Sequence, residues 1–200
     1  MWGKIYKTGN TGIDALLFFS NKITVKPKKM VLVTLHRRES FGAPLEEMLV
    51  AIRKFADEHE DFTVFFPVHP NPNVRETVYK ILDEHKRIIL SPPLNYIQMI
   101  RKMKESYMIL TDSGGIQEEA PSLKKPVLVL REKTERPEGI AIGVSMLVGT
   151  KMDKILRAMN SLVENKKAYN EMVSNINPYG DGHAAERIAI YLNRCLNYLN

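Results

Sequence analysis

Residues 107–130 read YMILTDSGGIQEEAPSLKKPVLVL. Two short apolar runs, YMILT and PVLVL, enclose a stretch with paired glycines, Gly114 and Gly115, and paired acids, Glu118 and Glu119. Short β-branched runs bounded by turn residues have the form of strands buried on both faces, as in a parallel sheet. The stretch between them then turns through Ser113, Gly114 and Gly115 into a helix that returns the chain to the start of the next strand.

The same alternation extends in both directions. MVLVTL (30–35) is a strand, and the following segment puts Leu45, Met48, Leu49, Ile52, Phe55 and Ala56 on one helical face, opened by Pro44. FTVFFPVH is a second strand, followed by a helix marked by Val74, Val78, Ile81 and Leu82. RIIL is a third, followed by a helix carrying Tyr96, Ile97, Ile100 and Met103 on its apolar face. After YMILT and PVLVL, SMLVG supplies a sixth strand. Repeated strand–helix units with short joins predict an α/β fold, a doubly wound, Rossmann-like parallel sheet.

The flanks differ in texture. Residues 1–25 contain GNTGIDALLFF, a turn and a helix with no strand, and read as a hinge or docking segment whose IDALLFF presents an apolar face. Residues 26–176 form the Rossmann-like domain. Beyond it, NPYGDGH breaks the helical pattern, and residues 177–200 end in a helix from about Ala184 that buries Ala184, Ile188, Tyr191, Cys195 and Leu199.

Composition narrows the class. Apolar residues make up 44% and charged residues 26% of the 200, as in ordinary globular domains. No apolar run is long enough to span a membrane, and the first residues lack a secretory signal pattern. A single cysteine, Cys195, leaves no intramolecular disulfide and suits a reducing cytoplasm. The net charge of +6 is dispersed, without the aromatic-interleaved stripe of a nucleic-acid surface.

In an open parallel sheet, ligands bind beyond the carboxyl ends of the strands. Four loops lie there: HRRES with His36 and Arg37, VHPNPN with His69, DSGGIQEE, and REKTERPEG with Arg131 and Arg136. The Gly-Gly turn admits close backbone approach and a helix start favours anions, so it is either a phosphate site or a well-capped helix. The charges of REKTERPEG either compensate one another or include an arginine clamp. Neither the dinucleotide fingerprint nor a P-loop is present, and no spacing of cysteine and histidine suggests a metal.

With these residues identified, GNTGIDAL, LHRRES, PVHPNPNVRE, DSGGIQEEAPSLKKPVLVLREKTERPEG and NPYGDGHAAERI occur in the order in which they stand in the non-hydrolysing UDP-N-acetylglucosamine 2-epimerases, which the chain resembles over nearly its whole length. The resemblance implies one half, the C-terminal one with its hinge, of a glycosyltransferase-B-type fold. It implies inversion at C2 of UDP-GlcNAc to UDP-ManNAc through elimination and re-addition of UDP, without metal or other cofactor. Ser113, Gly114 and Gly115 match the diphosphate turn, Glu119 the ribose-binding acid, and Met99 the position flanking uracil. His36 and Arg136 match catalytic-site residues, and Arg37 and His69 match contacts to a second, activating UDP-GlcNAc. Three departures stand out: Ser40 in place of asparagine, Met99 in place of an aromatic residue, and Lys124 in place of the glycine of SLGKP. The half expected to carry the carboxylates that move the C2 proton is not in this sequence. Two readings accompany the epimerase: a nucleotide-sugar binding module without turnover, and a hydrolysing relative that releases ManNAc. The partners implied are UDP or UDP-GlcNAc and a separate N-terminal half or a second copy, with no nucleic acid or membrane.

Overall fold

The computed structural model describes residues 5–197. A helix, α1 (Thr11–Ser20), precedes the alternation β1 (Met30–Thr34), α2 (Ala43–Glu58), β2 (Thr63–Pro67), α3 (Pro72–Leu82), β3 (Ile88–Ser91), α4 (Tyr96–Glu105), β4 (Met108–Thr111), α5 (Gly114–Glu119), β5 (Val127–Val129), α6 (Pro137–Ile142) and β6 (Ser145–Leu147). Helices α7 (Met152–Glu164), α8 (Lys166–Ser174) and α9 (Ala184–Asn197) complete it. All six strands anticipated from the sequence are present and pair in parallel, in the order β3-β2-β1-β4-β5-β6.

Alternation along each strand sorts side chains into two cores. Val31, Val33, Val64, Phe66, Met108 and Leu110 point into the layer of α2, α3 and α7. Leu32, Phe65, Ile109, Val127 and Val129 point the other way, against Ile13 and Leu16 of α1 and Ile100 and Met103 of α4. Both faces are therefore dry, which is why these strands are continuous apolar runs rather than alternating ones.

Local chemistry sets the helix starts on the carboxyl side of the sheet. Asn95 and Gln98 form a reciprocal capping box at α4, with Gln98 N–H donating to Asn95 Oδ1 at 2.9 Å and Asn95 N–H to Gln98 Oε1 at 3.0 Å. The side chain of Asn71 caps α3 ahead of Pro72. Helix α5 runs on through a 3-10 turn, Ala120–Leu123, that Lys124 ends in the left-handed conformation at φ 56°.

Several expectations are corrected. Tyr96 and Ile97 share the helix of Ile100 and Met103 but stand in its first turn and are 40% and 39% exposed, while Ile100 and Met103 are fully buried. The apolar face foreseen on IDALLFF is mostly closed: Ile13 and Leu16 are fully buried, and within the segment Phe18 is the exposed large side chain, with the Lys22 ammonium 3.7 Å from its ring centroid. Cys195 is exposed rather than packed, and Ile190, Leu192 and Leu196 also face solvent; of the residues expected inside, Ala184 is buried and Ile188 and Tyr191 are half-buried. Leu199 lies outside the described residues. No helix among the described residues is long and apolar enough to cross a membrane.

Candidate functional site at the sheet switch point

Strand order reverses between β1 and β4, and the loops that leave these strands part to opposite faces, opening the crevice where such sheets bind ligands. The two strand ends are level. Thr34 pairs with Thr111, and their hydroxyl oxygens lie 2.7 Å apart.

Asp112, the next residue, is fully buried and joins the two loops. Its carboxylate accepts the backbone N–H of His36 at 2.9 Å and of Arg37 at 2.8 Å, and His36 Nδ1 stands 3.3 Å from it. The carboxylate thus fixes the course of the β1 loop and draws the Nδ1 edge of His36 inward, which leaves Nε2 for the crevice. Sequence reasoning missed this residue. An aspartate between a strand and a Gly-Gly turn reads as an ordinary turn residue, and its partners lie 75 and 76 positions away.

Beyond Asp112 the chain turns at Ser113 into α5. The Ser113 hydroxyl does not cap the helix. The Cβ position of Gly114 lies 3.8 Å from a terminal nitrogen of Arg37 and 3.8 Å from one of Arg136, so two guanidinium groups from different loops converge on this glycine. The Nε of Arg37 is buried without a hydrogen-bond partner. Two cations, a serine hydroxyl and the unpaired N–H groups of a helix start form a concentration of donors suited to a diphosphate.

His69 stacks beside His36, with ring centroids 5.7 Å apart and planes inclined by 23°. Its Nδ1 accepts the N–H of Asn71 at 3.2 Å, which leaves Nε2 to carry the proton of the neutral ring. Both histidines line a cavity of about 240 Å³ with Pro67, Leu94, Met99 and Ser113. Its apolar wall and polar mouth fit a flat ring joined to a charged group.

The adjacent acids are used differently. Glu118 accepts from the side-chain amide of Asn10 at 2.7 Å and pairs with Arg136 through Nε, while its carbonyl accepts from Asn177 Nδ2 at 2.9 Å. It is a junction between α1, α5, the 131–139 loop and NPYGDGH, more than the first-turn acid its position suggests. Glu119 accepts from the Tyr96 hydroxyl at 3.2 Å. Burial raises the Glu119 carboxyl above its ordinary value; the Tyr96 hydrogen bond works against this and the nearby Glu118 adds to it.

The loop after β5 divides. Arg131 is buried, with Nε on Glu39 at 2.7 Å and its two terminal nitrogens on Glu135 at 2.5 and 3.0 Å. Arg136 instead reaches the Gly114 turn, its carbonyl held by the Tyr179 hydroxyl at 3.0 Å. Ser113, Gly114, Arg37 and Arg136 are thus brought together, with His36, His69 and Met99 around the neighbouring cavity and Glu119 at the other end of α5, bonded to Tyr96. Gly115 is exposed beside Ser113.

A sheet of this order with cationic loops at its switch point is the Rossmann-like architecture of glycosyltransferase-B-type proteins, of which this chain supplies one half. The family model described as UDP-N-acetylglucosamine 2-epimerase matches residues 2–193. The Yersinia pestis UDP-N-acetylglucosamine 2-epimerase is 46% identical over 201 aligned positions, covering 92% of this chain and 54% of that protein. Among solved structures, the Staphylococcus aureus MnaA–UDP complex is 45% identical with a TM-score of 0.89, covering 95% of this chain and 54% of that one. The Neisseria meningitidis UDP-GlcNAc 2-epimerase bound to UDP-GlcNAc is 38% identical with a TM-score of 0.88, covering 94% and 54%. The chain belongs to the UDP-N-acetylglucosamine 2-epimerase family. It spans about half the length of these relatives.

Proposed function

We propose that this chain is the UDP-binding half of a non-hydrolysing UDP-GlcNAc 2-epimerase. The observation that carries the reading is the convergence of the Arg37 and Arg136 guanidinium groups on the Gly114 turn. In the reaction proposed, UDP leaves C1 of the sugar as a proton leaves C2, and UDP then re-adds to the resulting glycal with a proton returned to the opposite face. The bond broken and re-formed is C1–O to the β-phosphate, so stabilising the departing diphosphate is the main task of this half. Arg136, the Ser113 hydroxyl and the N–H groups of Gly114 and Gly115 bind it, and His36, oriented by Asp112, faces the bridging oxygen with Nε2. Glu119 accepts from the ribose hydroxyls, and uracil lies against Met99.

Arg37 and His69 serve a second, activating UDP-GlcNAc in this reading. Their closeness to Gly114 and His36 supports an activator that lies edge to edge with the substrate. Residues 1–25 act as the hinge, 26–176 as the UDP-binding domain and 177–200 as the crossover to the other half. Near the Gly114 turn the acids include Asp112, buried and tied to the β1 loop, Glu118, tied to Asn10 and Arg136, and Glu119, tied to Tyr96. None of these three is free to act on C2, so the proton-moving carboxylates come from the other half and the chain alone turns over poorly.

Calorimetric titration with UDP tests the reading. Binding is expected, and Ser113→Ala should weaken it about 10- to 100-fold, the worth of one hydrogen bond to a charged group. No heat or displacement at millimolar UDP would overturn the assignment, and rapid formation of UDP-ManNAc by this chain alone would overturn the division of labour. Release of free ManNAc would favour the hydrolysing reaction.

A further inference from the structure

Tyr96 is the first residue of α4, and three contacts fix it. The reciprocal cap between Asn95 and Gln98 sets the start of the helix. Phe19 of α1 meets its ring edge-on, with centroids 6.1 Å apart and planes at 86°. Its hydroxyl donates to Glu119 Oε1 at 3.2 Å. The ring is 40% exposed, so burial of the ring does not explain its place.

A glutamate on a short helix has three rotatable bonds, and selective reading of a vicinal diol requires both carboxylate oxygens to face the two hydroxyls together. Glu118, on the same helix, is oriented by Asn10 and Arg136. For Glu119 the orienting donor is Tyr96. Each carboxylate oxygen accepts two hydrogen bonds, so the one from Tyr96 leaves room for both ribose hydroxyls. The same bond opposes the rise in the Glu119 pKa caused by burial and so favours the ionised, acceptor-only form.

We propose that Tyr96 is the positioning residue that turns Glu119 towards a ribose diol and thereby sets the preference for ribonucleoside over 2′-deoxyribonucleoside diphosphates. This rests on Glu119 being the ribose-binding acid. Phe19 makes the device dependent on α1: the hinge helix braces the ring that braces the acid.

The test is calorimetric titration of wild type, Tyr96→Phe and Glu119→Gln with UDP and 2′-deoxy-UDP. Phenylalanine keeps the ring against Phe19 and removes only the hydroxyl. Wild type should prefer UDP. Tyr96→Phe should weaken UDP about three- to tenfold and 2′-deoxy-UDP less than about twofold, compressing the ratio towards that of Glu119→Gln. An unchanged ratio in Tyr96→Phe, or an equal loss for both ligands, overturns the role of Tyr96 while leaving the UDP site standing. A wild type that binds both equally overturns the ribose assignment and this inference together, and one that binds neither overturns the functional reading itself.

Discussion

Arg131 and Arg136 leave the same strand end on the same loop and reach opposite situations. The Arg131 side chain is 6% exposed and saturated by Glu39 and Glu135, two carboxylates that are themselves more than half exposed. That of Arg136 is 36% exposed, holds one carboxylate, Glu118, and turns a terminal nitrogen towards Gly114. The first closes the loop onto the β1 loop. The second leaves the crevice a cation with capacity to spare. A run of alternating charges can thus hold a structural ion network and a ligand clamp side by side, and what separates them is how many carboxylates reach each guanidinium.

This contrast can be broken at several points. Removing Asp112 should have the largest effect, because two backbone N–H groups lose their acceptor inside the protein. Asp112→Ala should cost about 3 kcal/mol in urea unfolding and weaken UDP binding as the loop carrying His36 and Arg37 is released. Full UDP affinity in a folded Asp112→Ala would show that the clamp does not need that loop. Arg136→Ala should lower UDP affinity about 30-fold, the loss of a charge-assisted contact worth about 2 kcal/mol, with little change in stability.

Arg131→Met should do the reverse. It should cost about 1–2 kcal/mol of stability and leave UDP affinity within about twofold, since the two released carboxylates return to water. The pH dependence follows from Glu135, which the Arg131 side chain holds at about 2, below its ordinary 4.5. A depressed acid contributes stability above its unfolded value and loses it as the pH falls through its folded one. The stability gap between wild type and Arg131→Met should therefore narrow from about pH 4.5 towards 2; a constant gap would mean that the pair does not carry it. The smallest effect is expected at Lys124, which sits at φ 56°, in the left-handed region that favours glycine. Lys124→Gly should stabilise by about 0.5–1 kcal/mol in thermal unfolding, with UDP affinity unchanged.

The layering of this fold was legible because the central strands β1, β4 and β5 are short apolar runs buried on both faces, a pattern that leaves few alternatives. The glycine turn and the loops bearing His36, His69 and Arg136 followed from the rule that ligands bind at strand ends. The supporting residues could not be read in the same way. Asp112, Asn10 and Asn177 act through partners far along the chain, and each has the composition of an ordinary turn. Tyr96 was hidden differently: its spacing from Ile100 and Met103 assigns it to the apolar face, whereas its hydroxyl reaches Glu119, 23 positions away. Cys195 was misread because the helical pattern of α9 says nothing of where its support stops.

The KPKK stretch before β1 has the composition of a linker and invites trimming, but α1 is fastened on its far side. Asp14 in α1 accepts the N–H groups of Ala184 at 3.1 Å and Ala185 at 2.6 Å, so a side chain from the first helix closes the start of α9. Gly182, at φ +87°, lets Leu17 lie where a side chain would collide with it. The two ends of the domain are consequently buckled to each other, while Ile13 and Leu16 hold α1 to the sheet. Loss of α1 would therefore also uncap the start of α9, at the opposite end of the chain.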